Sequence, residues 1–167
     1  IDRLNDPENG NLFVTNNWHA IVRAITSPLL KQDVIVIDDF QYVLSLEFMR
    51  RQGEHGFGKF AEMQTNFFNV IESAMKSQKR VYFMSHSHTN ENGVEKMKTI
   101  GKMLDEKITL EGLFTIVLKC QSVDGQHFFS TKTNGKDVVK SPIGMFENAV
   151  IDNDLALVDK TIAEYYS

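Results

Sequence analysis

Val34-Ile35-Val36-Ile37-Asp38-Asp39 decides the fold. Four β-branched apolar residues run together without alternation. That pattern predicts a strand buried on both faces, as in a parallel sheet, rather than a strand with one wet face. Asp33 opens the run, and two carboxylates end it abruptly. In open α/β sheets ligands bind outside the carboxyl ends of the strands, so Asp38 and Asp39 stand where chemistry is expected.

The flanking segments read consistently with this strand. Thr15-Asn16-Asn17 precedes Trp18, Ile21, Val22 and Ile25, which share one helix face, and Pro28 closes that helix. Ser45 to Gln52 reads as a short helix or a charged loop. Phe60, Met63, Phe67, Val70, Ile71 and Ala74 mark an amphipathic helix from Phe60 to Met75. Arg80 to Ser85 is a second short strand. Ser85 to Gly93 is polar and loop-like, and Val94 to about Leu104 is expected to be helical. Leu113 to Ser122 is a third strand, Asp124-Gly125 a hairpin turn, and His127 to Thr131 the antiparallel return. Asn134-Gly135 marks a further turn. Asp152 or Asn153 should cap a last helix through Leu155, Val158, Ile162 and Tyr165. The expected fold is α/β in three layers: one domain over residues 1–167, with a mostly parallel sheet that gains an antiparallel C-terminal hairpin as its edge.

Composition narrows the function. No apolar run approaches the ~20 residues that span a bilayer. The single Cys120 sits in an apolar run and reads as a packed thiol, which fits a reducing cytoplasm. His86 and His88 have no third ligand nearby, so zinc spacing is absent. The net charge of −4 argues against a dedicated tight nucleic-acid binder, though it leaves room for local basic loops.

Gly53-Glu54-His55-Gly56-Phe57-Gly58-Lys59-Phe60 nearly spells the phosphate-binding loop G-x-x-x-x-G-K-[ST]. The last position fails, because Phe60 has no hydroxyl for Mg²⁺. The motif should also leave a buried strand, and here it follows a charged stretch. It reads as a flexible loop entering a helix.

Asp38 at a strand tip matches the acid that P-loop ATPases use for MgATP. The structural alternative is that Asp38-Asp39 caps the helix starting near Phe40. Ser85 and His86 end the neighbouring strand, where such enzymes keep a γ-phosphate or water sensor; the alternative is a solvated loop, and that reading suits His88. Lys132 and Lys140 could neutralise phosphoryl charge or be ordinary surface lysines. Lys96, Lys98 and Lys102, in the stretch Asn90 to Lys102, could track a nucleic-acid backbone or line a solvated face.

Taken together, VIVIDDFQYVL, the G-x-G-K-F helix, VYFMSHS, TIGKMLDEKITLEGLFTIVL and KSPIGMFENAVIDNDLALVDKTIAEYY resemble the phage-encoded RecA-like ATPases of the Sak-type single-strand-annealing group. The resemblance runs from about Thr15 to Tyr166. Its most specific parts are IDDFQY and K-S-P-x-G-M-F-E followed by N-D-L. It implies a RecA-like core that binds ATP and Mg²⁺. Asp38 would be the Walker B acid, acting on Mg²⁺ through water, and Asp39 would position the attacking water or the metal shell. Ser85 and His86 would be the sensor, with Lys132 and Lys140 acting across a subunit interface of a homo-oligomer. Asn90 to Lys102 would meet single-stranded DNA, and a single-strand-binding protein is a further implied partner. The setting implied is the cytoplasm of a phage-bearing bacterium, with no membrane. In that family the true P-loop lies upstream of a segment like Leu12 to Ile25, so GEHGFGKF is a decoy, and the opening at Ile1 predicts a missing upstream strand. Without that strand the chain should bind ATP weakly or not at all. The alternative is a non-catalytic P-loop-family module that assembles or loads a recombinase or helicase. A metal-dependent phosphotransferase or nuclease ranks last, for want of further carboxylates.

Overall fold

A computed structural model describes residues 11–99 and 109–167. Helix α1 is Trp18–Thr26, started by Asn17, whose Oδ1 accepts the His19 amide at 3.0 Å. Strand β1 is Val34–Ile37, followed by α2, Gln41–Arg50, and α3, Gly58–Met75. Strand β2, Arg80–Phe83, returns parallel to β1 with Val34 opposite Arg80 and Ile37 opposite Phe83. The result is a strand, two helices and a parallel strand. Ser45 to Gln52 resolves as the C-terminal part of α2 and the turn after it.

The chain divides into two compact units between His86 and Ser87. In the first unit, α3 packs on both α1 and α2. Ile21, Ile25, Val43, Leu44, Phe67 and Val70 are buried there, and Phe40 is wholly enclosed at 0% exposure. Phe40 stacks on Phe67 at 4.1 Å and meets the Phe83 ring edge-on at 4.7 Å. Burying a Phe stabilises by about 1.5–3 kcal/mol, so this stack is a principal anchor of the unit.

The double burial expected of β1 is not observed. Among the described residues β1 pairs with β2 alone, its side chains are part-buried, and Val36 is 47% exposed. Apolar content reports what a strand is able to bury, not what covers it.

The second unit holds two small sheets. β3, Ser87–Thr89, pairs antiparallel with β4, Glu95–Met97. This corrects two expectations, the loop over Ser85 to Gly93 and the helix from Val94; the rest of that helix, to Leu104, lies outside the described residues except for Lys98 and Thr99, which are not helical. The reason is the turn. The Asn90 side chain accepts the Asn92 and Val94 amides at 3.0 and 2.9 Å, and Gly93 takes φ 73°. That Asx-type turn fixes a hairpin before helical periodicity can act.

A single 3-10 turn covers Leu110–Leu113, where the third strand was expected to begin. The strand itself is β5, Lys119–Val123, paired antiparallel with β6, Gln126–Ser130, across Asp124-Gly125. The C-terminal hairpin is therefore present. It does not edge the parallel pair, however: β7, Val150–Asp152, joins β6 to make a separate three-stranded antiparallel sheet. Helix α4, Leu155–Tyr165, is capped by Asp154, not by Asp152 or Asn153; its Oδ1 accepts the Ala156 and Leu157 amides. Asp152 is unavailable because it belongs to β7. The architecture is mixed α/β with small sheets. Among the described residues no helix is long and apolar enough to cross a membrane.

Candidate functional site

The candidate site forms where β1 and β2 end side by side. Met84 donates its amide to Ile37 O at 2.9 Å, continuing the parallel ladder. In a regular ladder Met84 O would then accept the Asp39 amide. It accepts the Phe40 amide instead, at 2.9 Å. One extra residue has been inserted, a bulge of the kind that re-aims side chains. The Phe40 anchor holds the far side of the bulge, and Asp39 absorbs the turn at φ 51°. The displaced Asp39 amide donates to Asp38 Oδ1 at 3.0 Å. Both carboxylates are exposed, and neither caps α2, which has no side-chain cap bond. The helix-cap alternative for Asp38-Asp39 is thereby removed.

Asp39 joins the tip of β2. Its Oδ1 lies 3.2 Å from His86 Nε2, and the His86 ring stands edge-on to Tyr42 with centroids 6.2 Å apart. Gln41 sits beneath this pair and is only 6% exposed. Its Nε2 donates to Asp39 Oδ1 at 3.2 Å, while its Oε1 accepts from Ser85 Oγ at 2.9 Å and from the His86 amide at 3.3 Å. Three residues singled out from sequence, Asp39, Ser85 and His86, thus meet at one place, while the Asp38 side chain bonds only the Asp39 amide. Gln41 was missed; a lone polar residue in the first turn after Asp-Asp-Phe was its signal.

The remaining candidates fall in the second unit. Lys132 and Lys140 belong to the second unit, where their ammonium groups reach the carbonyls of Glu147, at 2.9 Å, and Gly112, at 3.5 Å. Of Asn90 to Lys102, the part to Met97 forms the β3–β4 turn and β4, with Lys96 opposite His88; Lys98 is exposed, and Lys102 lies outside the described residues.

The near-P-loop stretch runs from the end of α2 into α3, after β1 rather than before it. Lys59 Nζ donates to the carbonyls of Arg51, Gln52 and Glu54 at 2.9, 3.4 and 2.7 Å. It closes the turn after α2, beginning at the C-cap residue Arg51, where cations are favoured. Arg51 ties the same turn to Glu47, Glu54 and Glu62 at 3.2, 2.8 and 2.7 Å. The Arg51 hydrogen bond holds the Glu54 carboxyl below its ordinary value, and Glu54 and Glu62 hold Arg51 above its own.

Among the described residues no group of three or more His, Cys, Asp or Glu is arranged to enclose a metal ion. Asp38 suits a different duty. Mg²⁺ keeps several waters and needs only one or two protein carboxylates when phosphates supply the rest, and an exposed acid beside a strand tip fits that. Comparison with family models, curated proteins and solved structures finds no match to this chain.

Proposed function

We propose that this chain is the Walker B and sensor portion of a RecA-like ATPase, a mostly parallel three-layer domain acting in phage DNA recombination or single-strand annealing. The observation that carries this reading is the convergence of Asp39, Ser85 and His86 on adjoining parallel strand tips, bound together through buried Gln41. That is where open α/β sheets hold ligands. Backbone strain at Asp39 supports it, since non-glycine residues held at positive φ cluster at functional sites.

In this reading ATP is the substrate and its phosphates come to the tips of β1 and β2. Magnesium, when bound, neutralises the β- and γ-phosphate charge. Asp38 holds the water shell of that ion. Asp39 orients the attacking water. Ser85 and His86 report the γ-phosphate, and Lys132 and Lys140 serve a neighbouring subunit of a homo-oligomer. The Asn90 to Lys102 stretch contacts single-stranded DNA, with a single-strand-binding protein as a partner in the bacterial cytoplasm.

The test is ATP hydrolysis by the full-length protein, with and without single-stranded DNA. DNA-stimulated turnover is expected, and Asp38→Asn should abolish it while leaving the circular-dichroism spectrum unchanged. Equal turnover in that variant would sink the Walker B assignment.

The runner-up reading is a non-catalytic module that assembles or loads a recombinase or helicase; Lys59 bears on neither reading, since the carbonyls of Arg51, Gln52 and Glu54 hold its ammonium. Absence of turnover with and without DNA would select the non-catalytic module.

A further inference from the structure

We propose that Gln41 is the positioning residue of this site, setting the Asp39 carboxylate and coupling it to the tip of β2; the inference rests on the ATPase reading. The amide's orientation follows from chemistry. A backbone N–H can only donate, so the Gln41 atom 3.3 Å from the His86 amide is the carbonyl oxygen. Ser85 Oγ donates to the same oxygen at 2.9 Å. The NH₂ group must then face Asp39, 3.2 Å away. A flipped amide would set donor against donor at His86 and acceptor against carboxylate at Asp39.

The arrangement closes a ring. Asp39 Oδ1 meets Gln41 Nε2, Gln41 Oε1 meets the His86 amide, and His86 Nε2 returns to Asp39 Oδ1. Both contacts on Asp39 fall on one oxygen, so Oδ2 is the one left to orient a water. Gln41 is buried on α2 and Ser85 and His86 follow β2, so one carboxamide ties three segments together. A shift of Ser85 on meeting a phosphate would pull on or release the Gln41 oxygen, and so act on the nitrogen that holds Asp39.

The experiment compares full-length wild type, Gln41→Ala and Gln41→Glu in ATP turnover, with single-stranded DNA present, between about pH 8 and about pH 6, the range in which a carboxyl raised by a neighbouring carboxylate titrates. Gln41→Ala should lower kcat by about 10- to 100-fold, on the scale of losing an oriented catalytic group, with KM for ATP changed less than about twofold. Gln41→Glu carries the more specific prediction. Ionised, the introduced carboxyl opposes Asp39. Protonated, it offers O–H toward Asp39 and a carbonyl oxygen toward His86 and Ser85, which restores the donor–acceptor order of glutamine. Its turnover relative to wild type should therefore rise as pH falls, while Gln41→Ala stays low throughout. The titratable groups facing the position are Asp39 and His86, with Asp38 and Tyr42 adjoining, and Gln41→Ala, which keeps all four and lacks the introduced carboxyl, is the control for their own pH dependence. Wild-type kcat in Gln41→Ala, or a flat relative profile in Gln41→Glu, overturns the inference and leaves the ATPase reading standing. A wild type without turnover overturns both. A purely structural glutamine would lower stability without producing the acid-side recovery.

Discussion

Asp39 and Phe40 divide one task between adjacent residues. Phe40 is fully enclosed against Phe67 and Phe83, and this fixes where the chain must be after the bulge. Asp39 makes up the difference at φ 51°, a conformation that costs a non-glycine residue about 1–3 kcal/mol when the surroundings impose it. Asp39→Gly should relieve that strain. We expect its melting temperature to equal or exceed wild type, while ATP turnover is lost with the carboxylate; a clear drop in melting temperature would show that the His86 and Gln41 bonds outweigh the strain. Phe40→Ala should destabilise by about 3–5 kcal/mol, the usual cost of deleting a buried aromatic ring. Urea unfolding would measure it, and a loss under about 1 kcal/mol would remove Phe40 as the anchor.

At the scale of elements, the loop between α2 and α3 shows how a motif can mislead. Gly53 to Phe60 has phosphate-loop spacing, yet Lys59 binds the carbonyls of the turn that follows α2. Lys59→Met should therefore cost no more than about 1 kcal/mol in chemical denaturation, the net worth of the lost bonds to carbonyls that water then reaches, and leave the full-length protein's affinity for ATP unchanged. A matching loss of affinity would restore the motif's phosphate role. The β3–β4 hairpin carries a pH dependence. Lys119 first, then Ser87, hold the Glu95 carboxyl below its ordinary value, and Lys119 forms an ion pair with it. A carboxyl lowered in the folded state stabilises above its unfolded pKa of about 4.3 and loses that contribution as pH falls through its folded value. The pair is partly exposed, so the contribution is at most about 1 kcal/mol. Denaturation at neutral and at acid pH should show stability falling on the acid side, and Glu95→Gln should flatten part of that fall. This hairpin was not legible as a strand pair, because three-residue strands leave no periodicity. Its signal lay in Asn90 and Gly93, the turn residues, which outweigh the scattered lysines.

The molecule is mixed α/β in two compact units; among the described residues the first has one two-stranded sheet and the second has two small sheets. The alternation of helix and apolar strand through Phe83, the Asp124-Gly125 hairpin and the last helix were all written in local patterns: side-chain period, turn residues and short-range caps. Those depend on neighbours within a few positions, so sequence alone determined them, along with the placing of Asp38 and Asp39 at a strand tip and of Ser85 and His86 at the next. Tertiary structure decided the rest. It set β5 and β6 in a sheet with β7 instead of at the edge of the parallel pair, left Val36 half exposed, and bent the backbone at Asp39 around the buried Phe40. Above all it brought Gln41 under Asp39, Ser85 and His86. Which strand pairs with which, and which polar atom meets which, depends on contacts between residues far apart in the chain. A glutamine 44 residues before the serine it binds leaves no local pattern from which that bond could be read.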